Sequence, residues 1–264
     1  MSKNEVQYTD FGYQPDFVRC YRDTIRRGVP ISLNVHVYQG NGPGPSPLVV
    51  CFHAGGFRTG RIVHGDHRAI ARWLTKSNIS VAFPEYRLGA KRLDLSESTR
   101  SRMSELEALA ISGFPARFRR SEALAALEDA CALLVWMEAN RNEFNFSGKL
   151  VLAGGSAGAI TALNVLYLAP HLGLSVPEVG GAICYSGGFA FPSLADTVDT
   201  PVFAIHGPED DRVPMHSIVE LSKRNPAVSL LVSNEHSHGS LKLCPGEAKK
   251  DTYGRLISKV NEFS

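Results

Sequence analysis

The chain has 264 residues, with 28 basic and 26 acidic side chains for a formal net charge of +2, and it is 44% hydrophobic and 20% charged. That balance excludes a disordered chain and leaves no electrostatic footprint for nucleic acid, while the length suits one α/β domain over residues 1–264. No apolar run reaches the roughly 18 residues needed to span a bilayer, and the opening MSKNEVQYTDFGY lacks the basic-then-apolar pattern of a secretory signal, so a cytoplasmic protein without a membrane span is expected.

Residues 31–38 (ISLNVHVY) alternate apolar and polar side chains, the period of a half-exposed strand. The stretch 40–47 (GNGPGPSP) is too rich in Gly and Pro to join a ladder or continue a helix, so it reads as a loop. It leads to a second strand at 48–52 (LVVCF), apolar throughout, as in a strand covered by helices on both faces. The same type recurs at 79–84, 149–153, 181–185, 201–205 and 228–232. Between these lie helical patterns. Residues 66–77 carry Ile70, Trp73 and Leu74 on one face, and 121–141 set Leu124, Leu127, Cys131, Leu134 and Val135 on a stripe, with Ser121 and Glu122 suited to a helix start. Further helices are predicted over 157–169, 215–223 and 248–262. Buried strands alternating with helices give an α/β fold, a mostly parallel central sheet with helices on both faces.

Residues 88–121 break the alternation. This strandless excursion holds Arg92, Arg100, Arg102, Arg117, Arg119 and Arg120 and a short helical pattern at 103–111. Excursions of such length are uncommon in compact domains and often form lids or binding loops; a solvated surface helix is the plain alternative. A lid or cap is therefore expected at 89–120, with Met103, Leu106, Leu109, Ile111 and Phe114 walling a pocket.

Cys20, Cys51, Cys131, Cys184 and Cys244 are odd in number and scattered, which argues against a disulfide framework or a structural zinc site. Cys51 and Cys184 sit in apolar runs and read as buried, reduced thiols. The pattern His64-Gly65-Asp66-His67 offers two imidazoles and a carboxylate, but it falls at a predicted helix start, where Asp66 reads as a cap. No metal and no cofactor are expected.

The chemistry lies at strand ends. Gly154-Gly155-Ser156-Ala157-Gly158 follows the strand at 149–153 and precedes a helix. A sharp strand-to-helix turn demands small residues around the serine and projects its Oγ above the sheet. A serine hydroxyl needs a base, and the base needs an acid to orient it. The strand at 201–205 runs into His206-Gly207-Pro208-Glu209-Asp210-Asp211-Arg212-Val213-Pro214, and the strand at 228–232 runs into Ser233-Asn234-Glu235-His236-Ser237-His238-Gly239. Serine, acid and histidine thus follow one another, each after a strand, an order found in one hydrolase architecture. His53-Ala54-Gly55-Gly56-Phe57 follows the strand at 48–52, where Gly55 and Gly56 let backbone N–H groups approach an oxyanion, and Ala157 adds its own N–H.

Together these segments resemble the α/β-hydrolase superfamily, in its esterase and lipase branch with an HGGG-type oxyanion loop. His53-Ala54-Gly55-Gly56-Phe57 is similar to that loop, with Ala54 where a glycine often stands. Pro84-Glu85-Tyr86-Arg87-Leu88 resembles the tyrosine-arginine-leucine segment after the next strand, and Ala126-Leu127-Glu128-Asp129-Ala130 the helix before the nucleophile. The likeness spans roughly residues 48–239. It implies a carboxylesterase-like serine hydrolase acting on a small-molecule ester of small or medium acyl size, with Ser156 as nucleophile, Asp210 as acid and His238 as base. Gly55, Gly56 and Ala157 would form the oxyanion hole. The spacing H-G-x-x-D-x-x-V-P selects Asp210 over Asp211, and the following Gly239 selects His238 over His236. An amide or formamide substrate uses the same parts, and a non-catalytic binding protein on a hydrolase scaffold is the other class of reading. Nothing in the sequence specifies an oligomeric state.

Overall fold

The computed structural model describes residues 14–62, 65–196, 198–235 and 238–264. The strands β1 (Phe17–Arg26) and β2 (Val29–Tyr38) form an antiparallel hairpin. There follow β3 (Ser46–Phe52), α1 (Gly65–Lys76), β4 (Ser80–Pro84), α2 (Glu97–Leu109), α3 (Ser121–Ala139), β5 (Phe146–Gly155) and α4 (Ala157–Leu163). The chain closes with β6 (Val179–Tyr185), β7 (Val202–His206), α5 (His216–Arg224), β8 (Val228–Val232) and α6 (Lys249–Phe263). The strands lie in one sheet in the order β1-β2-β4-β3-β5-β6-β7-β8. Pairing is parallel from β4 across to β8, and β2 runs antiparallel to both its neighbours.

Successive side chains of a strand face opposite sides of a sheet, and the apolar runs therefore feed two cores. Leu48, Val50 and Phe52 of β3 pack with α3 and α4 on one face; Val49 and Cys51 pack with Ile70 and Leu74 of α1 and Val260 of α6 on the other. Cys51, Cys131 and Cys184 are buried free thiols, and burial pushes the Cys51 thiol up to about 12. Among the described residues no helix is long and apolar enough to cross a membrane.

Several elements differ from the sequence-based expectation. Strand β1 carries Arg19, Arg22 and Arg26 and buries only Tyr21 fully, because it is the sheet's outer strand with water on most of its surface, so no apolar alternation marks it. Val135, placed on a buried stripe by its spacing, is exposed. Helix α1 begins at Gly65, which puts Asp66 inside the first turn rather than at the cap. Helix α2 starts six positions before the pattern at 103, capped by Ser96, whose Oγ accepts from the Thr99 N–H at 3.3 Å. The predicted helix at 157–169 is α4 followed by a π-helical turn at Asn164–Leu168.

The excursion is fastened at both ends. Leu106 and Phe114 are buried in the core; the Ile111 N–H donates to the Ala190 carbonyl at 2.8 Å and His216 Nε2 donates to the Ser112 carbonyl at 3.0 Å. Leu106 and Phe114 therefore serve the core, and Met103, Leu109 and Ile111 pack against it partly buried. At its beginning lies Arg87, only 1% exposed, which spreads its guanidinium over several acceptors. Nε donates to both Asp129 oxygens at 3.0 Å, Nη2 to Glu128 at 2.7 Å, and Nη1 to the Asp94 carbonyl. Arg22 reaches Asp129 at 2.8 Å from β1, and Ser96 donates to Glu128 through both N–H and Oγ. Glu128 and Asp129, adjacent on α3, thus clamp β1, the segment after β4 and the start of α2.

Removing one partner from a buried ion pair leaves the other charge uncompensated. Asp129→Ala is expected to lower the unfolding free energy in urea by about 3–5 kcal/mol, and a loss below about 1 kcal/mol would show that water reaches the cluster.

Candidate active site

The sheet's carboxyl edge gathers the site. Strand β5 delivers Ser156 into the turn before α4, and the serine takes φ 53° and ψ −119°, a left-handed strain for a residue with a side chain. The turn closes because a Cβ at Gly158 would overlap the Phe52 carbonyl, and one at Gly154 would strike the Gly158 backbone. The Ser156 N–H donates to the Tyr185 carbonyl at 2.9 Å, fixing the turn on β6. Only 6% of Ser156 is exposed.

Two loops from later strand ends meet it. His238 Nε2 lies 2.8 Å from Ser156 Oγ, and His238 Nδ1 lies 2.7 and 2.9 Å from the Asp210 carboxylate oxygens. An ionised carboxylate only accepts, so Nδ1 carries the ring proton and Nε2 presents its lone pair to the serine hydroxyl. Asp210 Oδ1 also accepts from the Arg212 and Val213 N–H groups, each at 3.0 Å. Burial opposes the Asp210 charge, yet these N–H groups and His238 outweigh it and hold the carboxyl below its ordinary value of 3.8. Asp211 is exposed. His236 and His64 lie outside the described residues.

Segment 53–60 follows β3 on the other side of the serine. Gly55 has φ 126°, and a Cβ there would overlap the Thr59 carbonyl, so the tight bend requires glycine. Its carbonyl accepts from the Arg58 and Thr59 N–H groups. Among the described residues the N–H groups of Gly55, Gly56 and Ala157 donate to no protein acceptor. His53 is stacked on Tyr86 at 4.0 Å between centroids, and its Nδ1 donates to the Ala54 carbonyl at 2.7 Å. Burial drives the His53 pKa to about 4, so this imidazole stays neutral. Tyr86 Oη donates to the His53 carbonyl at 2.6 Å and ties the loop to the segment after β4.

Three further residues support the site, one of them, Ser186, unmarked in the sequence analysis and two present there only as parts of motifs. Ser186 follows β6 with φ 49°, and its Oγ accepts the Gly239 N–H at 2.8 Å, which anchors the His238 loop. His206, buried at the end of β7, donates Nε2 to the Val213 carbonyl at 2.9 Å and lies 3.4 Å from Asp210. Burial lowers its pKa against the pull of that carbonyl and of Asp210. Tyr86 is the third. The signal for Ser186 was present in Ser186-Gly187-Gly188, a small-residue turn after a strand at the same edge. Among the described residues no group of three or more His, Cys, Asp or Glu side chains is arranged to hold a metal ion. A basic cleft of about 710 Å³ lies on the flank of segment 53–60, lined in part by Arg26, Arg27, Arg58, Lys91 and Glu122 and away from Ser156.

No protein-family model matches the sequence, and no curated protein matches it. Solved structures do. An esterase of the planctomycete Thermogutta terrifontis with propionate bound is similar over 94% of this chain and 92% of that one, at TM-score 0.62 and 16% identity. A structure from work on two Rhizomucor miehei esterases covers 95% of this chain and 85% of its own, at TM-score 0.61 and 15% identity. A Staphylococcus aureus protein of unknown function matches at TM-score 0.61 and 13% identity over 92% and 98%. The sheet order and these likenesses establish the α/β-hydrolase fold.

A carboxyl held low in the folded state adds stability that is fully present above its unfolded value and lost as pH falls through its folded value. Asp210→Asn is expected to unfold at lower urea than the wild type at pH 7, with the gap narrowing as pH drops below about 4. A gap that stays constant into acid would mean that the Asp210 charge is not what the surrounding donors hold.

Proposed function

We propose that the chain is a serine hydrolase that cleaves carboxylic esters of small or medium acyl groups through an acyl-enzyme on Ser156. The observation that carries this reading is the hydrogen-bonded line from Ser156 Oγ through His238 to Asp210. In the first half-reaction Ser156 Oγ attacks the acyl carbonyl while His238 Nε2 takes its proton; Asp210 holds the ring tautomer and stabilises the imidazolium. The tetrahedral oxyanion accepts from the N–H groups of Gly55, Gly56 and Ala157, which have no acceptor among the described residues. His238 then returns the proton to the leaving alkoxide, and the C–O bond breaks. Water, deprotonated by the same imidazole, releases the acid and restores the serine.

The small-acyl part of the proposal is supported by the Thermogutta esterase, which has been solved with propionate and with butyrate bound. The ester-directed reading requires no cofactor in this scheme, because every proton and electron pair moves between the substrate, water and the named side chains.

On an aryl ester of a short acid, Ser156→Ala is expected to lower kcat/KM by about 10⁴-fold or more while the protein stays folded. Asp210→Asn should cost about 10³- to 10⁴-fold, and Asp211→Asn less than about threefold. Activity that survives Ser156→Ala, or a larger loss at Asp211 than at Asp210, overturns the assignment.

A further inference from the structure

The charged side chains around the excursion are nearly all answered. Arg100 pairs with Glu97, Arg102 with Glu105, Arg119 and Arg120 with Glu107, and Arg58 with Glu122. Arg117 is different. Among the described residues it has no carboxylate and no hydrogen bond, and its Nε is buried without an acceptor. Its guanidinium lies 4.5 Å over the Phe118 ring, and Phe118 packs edge-on against Phe57 at 6.1 Å. These rings set the cation beside segment 53–60: a Cβ on Gly56 would point at Arg117 Cζ, 4.0 Å away. A half-buried cation thus stands beside Gly56, one of the residues whose N–H is assigned above to the oxyanion.

A guanidinium that has its Nε buried without an acceptor and no counter-ion carries a cost, part of which is recovered when an anion fills its donors. Its planar fork matches a carboxylate, two N–H groups to two oxygens. Exposed arginines such as Arg92 keep their water and need no such partner. A Cβ on Gly56 would reach Arg117 only at ordinary van der Waals distance, and the backbone there, at φ 60°, favours glycine.

We propose that Arg117 is a specificity-determining residue that receives a carboxylate carried by the ester substrate, so that the preferred substrates are anionic esters such as half-esters of dicarboxylic acids. This rests on the serine esterase reading of the same site. The carboxylate sits on the acyl or the alcohol side of the scissile bond, and one probe of each kind separates them.

The test compares mono-4-nitrophenyl adipate, with its acid on the acyl side, and 4-carboxyphenyl hexanoate, with its acid on the alcohol side, against neutral 4-nitrophenyl and phenyl hexanoate. Each anionic ester is expressed as a ratio of kcat/KM to its neutral counterpart. The wild type should favour at least one anionic ester, and Arg117→Gln should lower that ratio roughly 10- to 100-fold, mainly through KM. Arg117→Lys keeps the charge without the fork and should restore part of it; added salt should erode it. Ratios that stay within about twofold in both variants, or a wild type that prefers the neutral esters, overturn the proposal.

Should no ester be hydrolysed, the esterase reading fails, and adipate binding by calorimetry to the wild type and to Arg117→Gln decides the anion site alone. A heat of binding lost in the variant upholds Arg117 as the anion receptor, and equal or absent heats reject it. If Arg117→Gln does not fold, by circular dichroism and its urea midpoint, the lysine variant carries the same comparison.

Discussion

Everything at the carboxyl edge depends on one constraint, the left-handed backbone of Ser156. A residue with a Cβ holds φ 53° only where its surroundings leave it no alternative. Here the surroundings are backbone: the Tyr185 carbonyl takes its N–H, and the Phe52 carbonyl lies where a side chain on Gly158 would be. Strands β3, β5 and β6 are therefore pressed together at the serine, and the hydroxyl is lifted off the sheet toward the loops that follow β7 and β8.

Those loops are placed by groups that bond to one another around the site. Asp210 receives two N–H groups from its own turn, His206 braces that turn through the Val213 carbonyl, and Ser186 holds the backbone of Gly239. On the opposite side Tyr86 and His53 fix the 53–60 bend. Arg87, next in sequence to Tyr86, binds the segment after β4 to α3 through Glu128 and Asp129. A buried ionic cluster and a bend beside the serine thus share one stretch of chain, and the stability of the first conditions the geometry of the second.

The fold was largely legible because its strands are apolar runs and its helices are periodic, two signals that survive in a single sequence. Where burial is one-sided or absent the signal fades, as at β1, whose charged residues face water, and at Val135, whose spacing promised a core it does not reach. Ser156, Asp210 and His238 were legible as residues after strand ends, since a parallel sheet brings all such ends to one edge. Ser186 was not, and His206 and Tyr86 stood in recognised segments without a role, because the bonds from Ser186 to Gly239 and from Tyr86 to His53 join segments that composition and spacing do not link, and the bond from His206 to Val213 depends on how its loop folds back. The excursion was legible as an interruption, but the burial of Leu106 and Phe114 and the ion pairs that sort its arginines are visible only in three dimensions.

The central claim is that Ser156 is a nucleophile activated by His238, and covalent trapping tests it most directly. A fluorophosphonate forms a stable covalent adduct with a serine activated in this way. Incubating the folded protein with the probe and reading its intact mass, followed by peptide mapping, should show a single adduct on Ser156 that is absent after urea unfolding and absent in Ser156→Ala. A folded wild type that remains unmodified, or an adduct that maps to another residue, would contradict the account.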